Sequence, residues 1–280
     1  MGTFEKTGRP REAKRITSLA NPLIKEIRGL ALAKNRKASG LFVAEGLKLV
    51  ADALECGWKI RTLVHSSRVA NEALVRRLSR RTFEGGGKAL AVSEAVLAKL
   101  TRRDNPQTVV GVFEQRITPL GDIGLGDGGL WVGLEDIRDP GNLGTILRTI
   151  DAVGANGAIL IGETVDPFSI EAVRATMGSI FHVGLARAGR PDFESFCGRW
   201  PGTVVGTHLA GKLDYRAADY RPPVLLVMGR EQSGLSPELA AACDTLVKIP
   251  MAGRADSLNL AVATGIMLFE IARDRLRLDA

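Results

Sequence analysis

The chain has 280 residues, 45% hydrophobic and only 5% aromatic, enough to bury ordinary aliphatic cores in two domains. No uninterrupted apolar stretch approaches the roughly 20 residues of a membrane helix, and the basic segment Met1 to Arg15 has no apolar run behind it, so a soluble, cytoplasmic protein is expected. The net charge of +7 is unevenly spread: residues 1–116 hold 23 Lys/Arg against 11 Asp/Glu, net +12, whereas residues 117–280 hold 15 against 20, net −5. A field of one sign concentrates polyanions, which makes the N-terminal half the candidate contact for nucleic acid; a merely solvated basic surface would look the same. Cys56, Cys197 and Cys243 are isolated, and His65, His182 and His208 lack the spacing that sets two ligands on one helical face. Neither a disulfide framework nor a metal site is expected.

Residues 1–15, with Lys6, Arg9, Arg11, Lys14 and Arg15, read as a flexible basic arm. From Ile16 the pattern turns helical, with Leu23, Ile27, Leu30 and Lys34 on one face after Asn21-Pro22. Phe42 to Gly46 reads as a short strand leading into a helix over Leu47 to Cys56. Further strands are expected at Ile60 to Val64, Ala89 to Val92 and Val109 to Phe113, with helices at Asn71 to Leu78 and Glu94 to Leu100, which makes residues 16–116 one α/β domain. Ile117 to Gly129, rich in Gly and Asp, serves as a linker. In residues 130–280 short β-branched runs at Leu130 to Leu134, Ala158 to Ile161, Val183 to Ala186, Thr203 to Val205, Val224 to Met228 and Leu246 to Ile249 alternate with helix-length segments. That rhythm predicts a mostly parallel sheet covered on both faces, whose ligands bind at the carboxyl ends of strands, near Glu135, Thr207, Gly229 and Pro250.

Three segments carry chemistry. In the first, Glu135 to Arg148, Pro140-Gly141 turns the chain and Asn142 is a reasonable N-cap for a helix striped by Leu143, Ile146, Leu147 and Ile150; Arg148 lies off the stripe. In the second, Leu226 to Leu235, Gly229 and Gly234 let backbone approach a ligand closely, and Glu231 falls in the loop after a strand. In the third, Ile249 to Ala263, a strand enters an irregular loop and Ser257 begins the last long helix, as its N-cap or as a functional hydroxyl. Taken singly, a cap, a turn and a solvated arginine would explain them.

In this order the three segments resemble the motifs of the SpoU family, also called the TrmH-like family, of RNA 2′-O-methyltransferases, over roughly Leu130 to Arg273. The segment around Phe42 to Gly46 is similar, more loosely, to the substrate-binding domain related to ribosomal protein L30e that precedes many of these catalytic domains. The resemblance implies a C-terminal α/β domain with a trefoil knot, an S-adenosyl-L-methionine cofactor, an RNA substrate and a homodimer. It assigns catalytic positions to Asn142, Arg148, Glu231, Ser257 and Asn259. It assigns cofactor contacts to Gly229, Ile249, Met251 and Leu258, and to the loop Thr207, His208 and Leu209.

Methyl transfer from a sulfonium is an in-line displacement that releases a neutral thioether, so it calls for alignment and proton removal but no metal and no acid for the leaving group. The resemblance makes Arg148 the group that activates the hydroxyl. A guanidinium is a poor general base, which favours clamping of a neighbouring phosphate and stabilisation of the developing oxyanion, with a deprotonated arginine as the alternative. Asn142, Ser257 and Asn259 suit the holding of loops, ribose and cofactor, and Glu231 the orientation of Arg148 or a backbone amide. Gly206 to Lys212 has the spacing of a phosphate-binding loop, but Leu213 stands where the Mg²⁺-holding hydroxyl belongs. Ribosomal RNA of the large subunit is the favoured substrate and transfer RNA the second; a non-catalytic RNA-binding protein on the same fold would be expected to have damaged motifs.

Overall fold

The computed structural model describes residues 12–101, 106–124, 129–230 and 233–278. The chain divides into two compact units, Met1–Gln115 and Arg116–Ala280. In the first, β1 (Lys14–Ile16), α1 (Pro22–Gly29), α2 (Ala33–Ser39), β2 (Leu41–Glu45), α3 (Leu47–Glu55), β3 (Ile60–Ser66), α4 (Ala73–Glu84), β4 (Lys88–Val92), α5 (Glu94–Thr101) and β5 (Val109–Glu114) follow one another. The sheet order is β1-β4-β3-β5-β2, with β4 parallel to both neighbours and β5 antiparallel to β3 and β2. Strand residues alternate between faces. One core gathers Ile24, Ile27, Val64, Leu90, Leu97 and Val112, and a separate aromatic cluster joins Phe42, Trp58 and Phe113, the first two edge to face at 5.9 Å.

Two expectations for this unit change. Ile16 is not helical: β1 begins at Lys14, inside the segment read as an arm, and pairs Ile16 with Val92. Residues 1–11 of that segment lie outside the described residues. The single helix expected after Asn21 is two, because α1 ends at Gly29 and the chain restarts at Ala33. Arg36, not Lys34, turns inward, and its guanidinium donates to the carbonyls of Leu30 and Ala31 at 2.9 and 3.0 Å. Those bonds satisfy acceptors stranded where α1 stops, which is why a charged residue is buried there.

The second unit runs β6 (Leu130–Glu135), α6 (Pro140–Ala152), β7 (Gly157–Ile161), α7 (Ile170–Ala175), β8 (Gly184–Ala188), α8 (Arg190–Cys197), β9 (Thr203–Thr207), β10 (Leu213–Asp214), β11 (Val224–Met228), α9 (Pro237–Ala241), β12 (Thr245–Lys248) and α10 (Leu260–Ile271). All seven strands are parallel, in the order β10-β12-β9-β11-β6-β7-β8. Helix α6 packs against α7 and α10, and α8 packs against α9. A Cβ at Gly144 would fall 2.3 Å from that of Ala175, so glycine is what lets α6 and α7 approach so closely. Gly133 plays the same part beneath the Phe193 ring, within a core of Trp131, Ile161, Phe193, Leu225 and Leu239. The segment expected as a linker is packed where it is described: Thr118 N donates to Leu185 O at 2.7 Å, Leu120 and Ile123 lie against this core, and the Trp131 indole donates to Gly124 O.

Candidate active site

Strands β9, β11 and β12 are neighbours, so their carboxyl ends deliver three loops to one place beside the start of α10. A cleft opens there, lined by residues of all three loops and of the start of α10. All seven positions expected to hold a cofactor line it: Thr207, His208 and Leu209 after β9, Gly229 after β11, Ile249 and Met251 after β12, and Leu258 before α10. Ser257, Arg230 and Lys248 line it too. Leu209 stands 52% exposed on the cleft wall.

Local chemistry explains the loops. The Thr207 hydroxyl lies 3.3 Å from Met228 Sδ, across two strand ends. His208 is fixed by its backbone N–H to Val247 O at 3.0 Å and by Ala210 N donating to Nδ1 at 3.1 Å, which leaves Nε2 to carry the proton in the neutral ring. No helix follows Thr207, as a phosphate-binding loop would require. A Cβ at Gly229 would lie 2.0 Å from the carbonyl carbon of Gly234, so the glycine is needed for the loop's own closure rather than only for a ligand. Arg230 and Gly234 exchange backbone hydrogen bonds of 2.9 and 3.0 Å that close the neck of this loop, and Gly234 takes the positive φ of 70° that a side chain would resist.

The expected caps move by a few residues. Asp139, not Asn142, caps α6, accepting from Asn142 N at 2.6 Å with Pro140 in the first turn. Asn259, not Ser257, caps α10, accepting from Ala261 N and Val262 N at 2.9 and 3.2 Å. Released from capping, the Asn142 amide accepts from Asn259 Nδ2 at 3.0 Å, which ties the start of α6 to the start of α10. Ser257 is exposed on the cleft wall. Arg148 is exposed on α6, roughly 9 Å along the axis from Asn142, and makes no ion pair or side-chain hydrogen bond among the described residues. It is not one of the cleft-lining residues. Glu231 lies outside the described residues. Among those described, no group of three or more His, Cys, Asp or Glu side chains could hold a metal ion, and no helix is long and apolar enough to cross a membrane.

Sequence reasoning missed an ionic cluster at the end of β6. Glu135 is fully buried, Asp136 is 8% exposed with a positive φ of 48°, and both accept from Arg190 and Arg230. The hydrogen bond to Glu135 is the main reason the Arg190 guanidinium holds its proton more tightly than usual. Glu135 stands where a ligand contact was expected, but its oxygens are taken by the protein. The sequence signal was two adjacent acids ending an apolar strand.

Residues 129–269 match the SpoU rRNA Methylase family and residues 21–111 the MRM3-like substrate binding domain. The chain belongs to the SpoU rRNA methylase family. This SpoU protein is 32% identical over 273 residues to the 23S rRNA (uridine(2479)-2'-O)-methyltransferase of Streptomyces viridochromogenes, covering 94% of this chain and 93% of that one. It is 28% identical to the 23S rRNA (guanosine(2553)-2'-O)-methyltransferase RlmP of Bacillus subtilis, covering 92% and 99%. The crystal structure of an AdoMet-bound rRNA methyltransferase from Sinorhizobium meliloti superposes with a TM-score of 0.89 at 55% identity, covering 95% of this chain and 99% of that one. The expected architecture, a SpoU-type α/β domain preceded by a substrate-binding domain, is the one found.

Proposed function

We propose that this SpoU protein transfers the methyl group of S-adenosylmethionine to a ribose 2′-hydroxyl of large-subunit ribosomal RNA. The observation that carries the reading is the cleft, where seven positions expected from the family resemblance, on four segments, converge. The lining suits the cofactor: Leu209, Ile249, Met251 and Leu258 offer apolar surface to a planar base, while Thr207, Ser257 and strand-end backbone offer polar contacts to ribose and amino acid. When bound there, the cofactor supplies an electrophilic methyl on a sulfonium.

The protein's part is alignment and charge. The bond between Asn142 and Asn259 holds the α6 and α10 starts together beside the cleft, and Ser257 adds a hydroxyl for ribose or cofactor. Arg148, exposed and without an ionic partner among the described residues, is available to a phosphate and to the oxygen losing its proton. Glu231 is assigned to the same catalytic set by the family's second motif. The first unit, net +12 with Arg116 included, captures the RNA, in the division expected for residues 16–116 and 130–280. An apolar stripe of Val262 and Phe269 on α10, 52% and 53% exposed, supports the expected homodimer, and a knotted path and a cytoplasmic site of action accompany the family reading. The relatives methylate a uridine and a guanosine, which fits recognition of the shared 2′-hydroxyl rather than of one base.

The test is transfer of labelled methyl from S-adenosylmethionine to ribosomal RNA, to assembled large subunits and to transfer RNA, with alkali-resistant sites mapped. Label in ribosomal RNA is expected, falling by about 10²–10³-fold in Arg148→Ala while the melting temperature holds. Label in transfer RNA alone would replace the substrate, and cofactor binding with no transfer to any RNA would make the protein a non-catalytic binder.

A further inference from the structure

We propose that Arg230 is a positioning residue for the cleft: held by Glu135 and Asp136, it fixes the turn at Gly229, whereas Arg190, bound to the same two carboxylates, serves the fold alone. The proposal rests on the reading of the cleft as the cofactor site.

A carboxylate buried as completely as Glu135 persists only when its oxygens are paired. Its Oε1 accepts from Arg190 Nε at 3.1 Å and from Arg230 Nη2 at 3.4 Å, and its Oε2 accepts from the backbone N–H of Ser236 at 2.8 Å. Arg230 and Ser236 are the two ends of the loop after β11, so one side chain at the tip of β6 grips that loop at both ends. Asp136 completes the grip, with Arg230 Nε 3.0 Å from Oδ2 and a hydrogen bond from Arg190 to the same oxygen. Its left-handed backbone is held by Glu163 N donating to Oδ1 at 2.8 Å, and a Cβ at Gly162 would fall 2.5 Å from that oxygen. Strain at a non-glycine residue with this many fixed partners marks a place where geometry matters to function.

The two arginines differ in what else they touch. Arg230 follows Gly229, lines the cleft and hydrogen-bonds through its backbone to Gly234, which also lines it. Arg190 opens α8 and does not line the cleft. Removing either leaves the other on the acid pair, so both losses should be tolerated by the fold to a similar degree, and only one should disturb the cleft.

The full chain would be titrated calorimetrically with S-adenosylhomocysteine, and its melting temperature taken, for the wild type and for Arg230→Met, Arg190→Met and Glu135→Gln, with Asp136→Asn in reserve if Glu135→Gln does not fold. Arg230→Met is expected to raise Kd about tenfold or more, and Arg190→Met to lower the melting temperature comparably with Kd within about twofold. Glu135→Gln, which leaves the Arg230 side chain in place, is expected to raise Kd as well. Wild-type affinity in Arg230→Met overturns the proposal, as does an equal loss in Arg190→Met. A loss confined to Arg230→Met, with Glu135→Gln and Asp136→Asn unaffected, would make Arg230 a direct ligand instead. No binding by the wild type would overturn the cofactor reading and this proposal with it.

Discussion

Cys197 and Cys243 show how burial converts a reactive residue type into packing. Their thiols are each pushed up to about 12, chiefly by desolvation, with Asp244 adding repulsion at both. Cys243 also donates its S–H to Leu239 O at 3.2 Å, which favours the protonated form. In the unfolded chain these thiols ionise near 8.5, so their contribution to stability is intact below that pH and is lost as pH rises towards 12. Unfolding free energy measured by denaturant at pH 8 and pH 10.5 is therefore expected to fall, by up to about 1.4 kcal/mol per pH unit for each thiol, and less steeply in the Cys197→Ala, Cys243→Ala double variant. Equal slopes would refute the assignment. At this scale the sequence was informative about which residues gather at the cleft and poor on what they bond. Asp139, Asn142, Ser257 and Asn259 are all competent caps, and which one serves depends on where the backbone turns, a choice made by packing of the whole domain. The pairing of Asn142 with Asn259 spans 117 positions and leaves no local trace.

Helix α4 carries the element-scale argument for RNA capture. Arg76, Arg77, Arg80 and Arg81 place two like-charged pairs at i, i+4 on its outer side, an arrangement that weakens an isolated helix. Arg77 is offset by Glu55 at 3.5 Å and Arg81 donates to Leu54 O, whereas Arg76 and Arg80 are exposed and have no partner among the described residues. Guanidiniums left free in this way match phosphate oxygens. Reversal of both, as Arg76→Glu with Arg80→Glu, is expected to weaken RNA binding and to reduce the slope of log K against log salt by about 1.5, while the affinity for cofactor stays as it was. An unchanged slope would make α4 a solvated surface. The helix itself was half legible: a start near Asn71 was readable, but its run to Glu84 was not, because Arg80 to Phe83 lack a clear apolar stripe. Buried Thr82, bonded back to Leu78 O, extends the inner face, and Gly87, whose Cβ would lie 2.2 Å from Ile60 O, forces the turn that follows. Every strand expected from a β-branched run was found, while the short β1 and β10 were missed because three and two residues make no pattern.

For the whole molecule, alternation of short apolar runs with helices was enough to expect a parallel sheet, yet the order β10-β12-β9-β11-β6-β7-β8 could not be read from it. Strand order follows from contacts between distant segments, and it is that order which sets β9, β11 and β12 side by side and so makes three loops into one cleft. Cleft and charge then fall in different units. The core around Ile24, Leu90 and Leu97 is built within the first unit and the core around Trp131, Phe193 and Leu225 within the second, so each has the apolar interior an independent domain needs. A fragment of residues 116–280 is accordingly expected to fold and to bind S-adenosylhomocysteine within about threefold of the full chain, since every described residue lining the cleft lies in it. It should lose RNA binding at physiological salt, because residues 116–280 carry a net −4 and repel a polyanion that the missing residues 1–115, net +11, would attract. Calorimetry and filter binding on the same preparation separate the two results. Retention of RNA affinity by the fragment would move the RNA contact onto the second unit, and loss of cofactor binding by a folded fragment would mean that the first unit takes part in the cleft's chemistry.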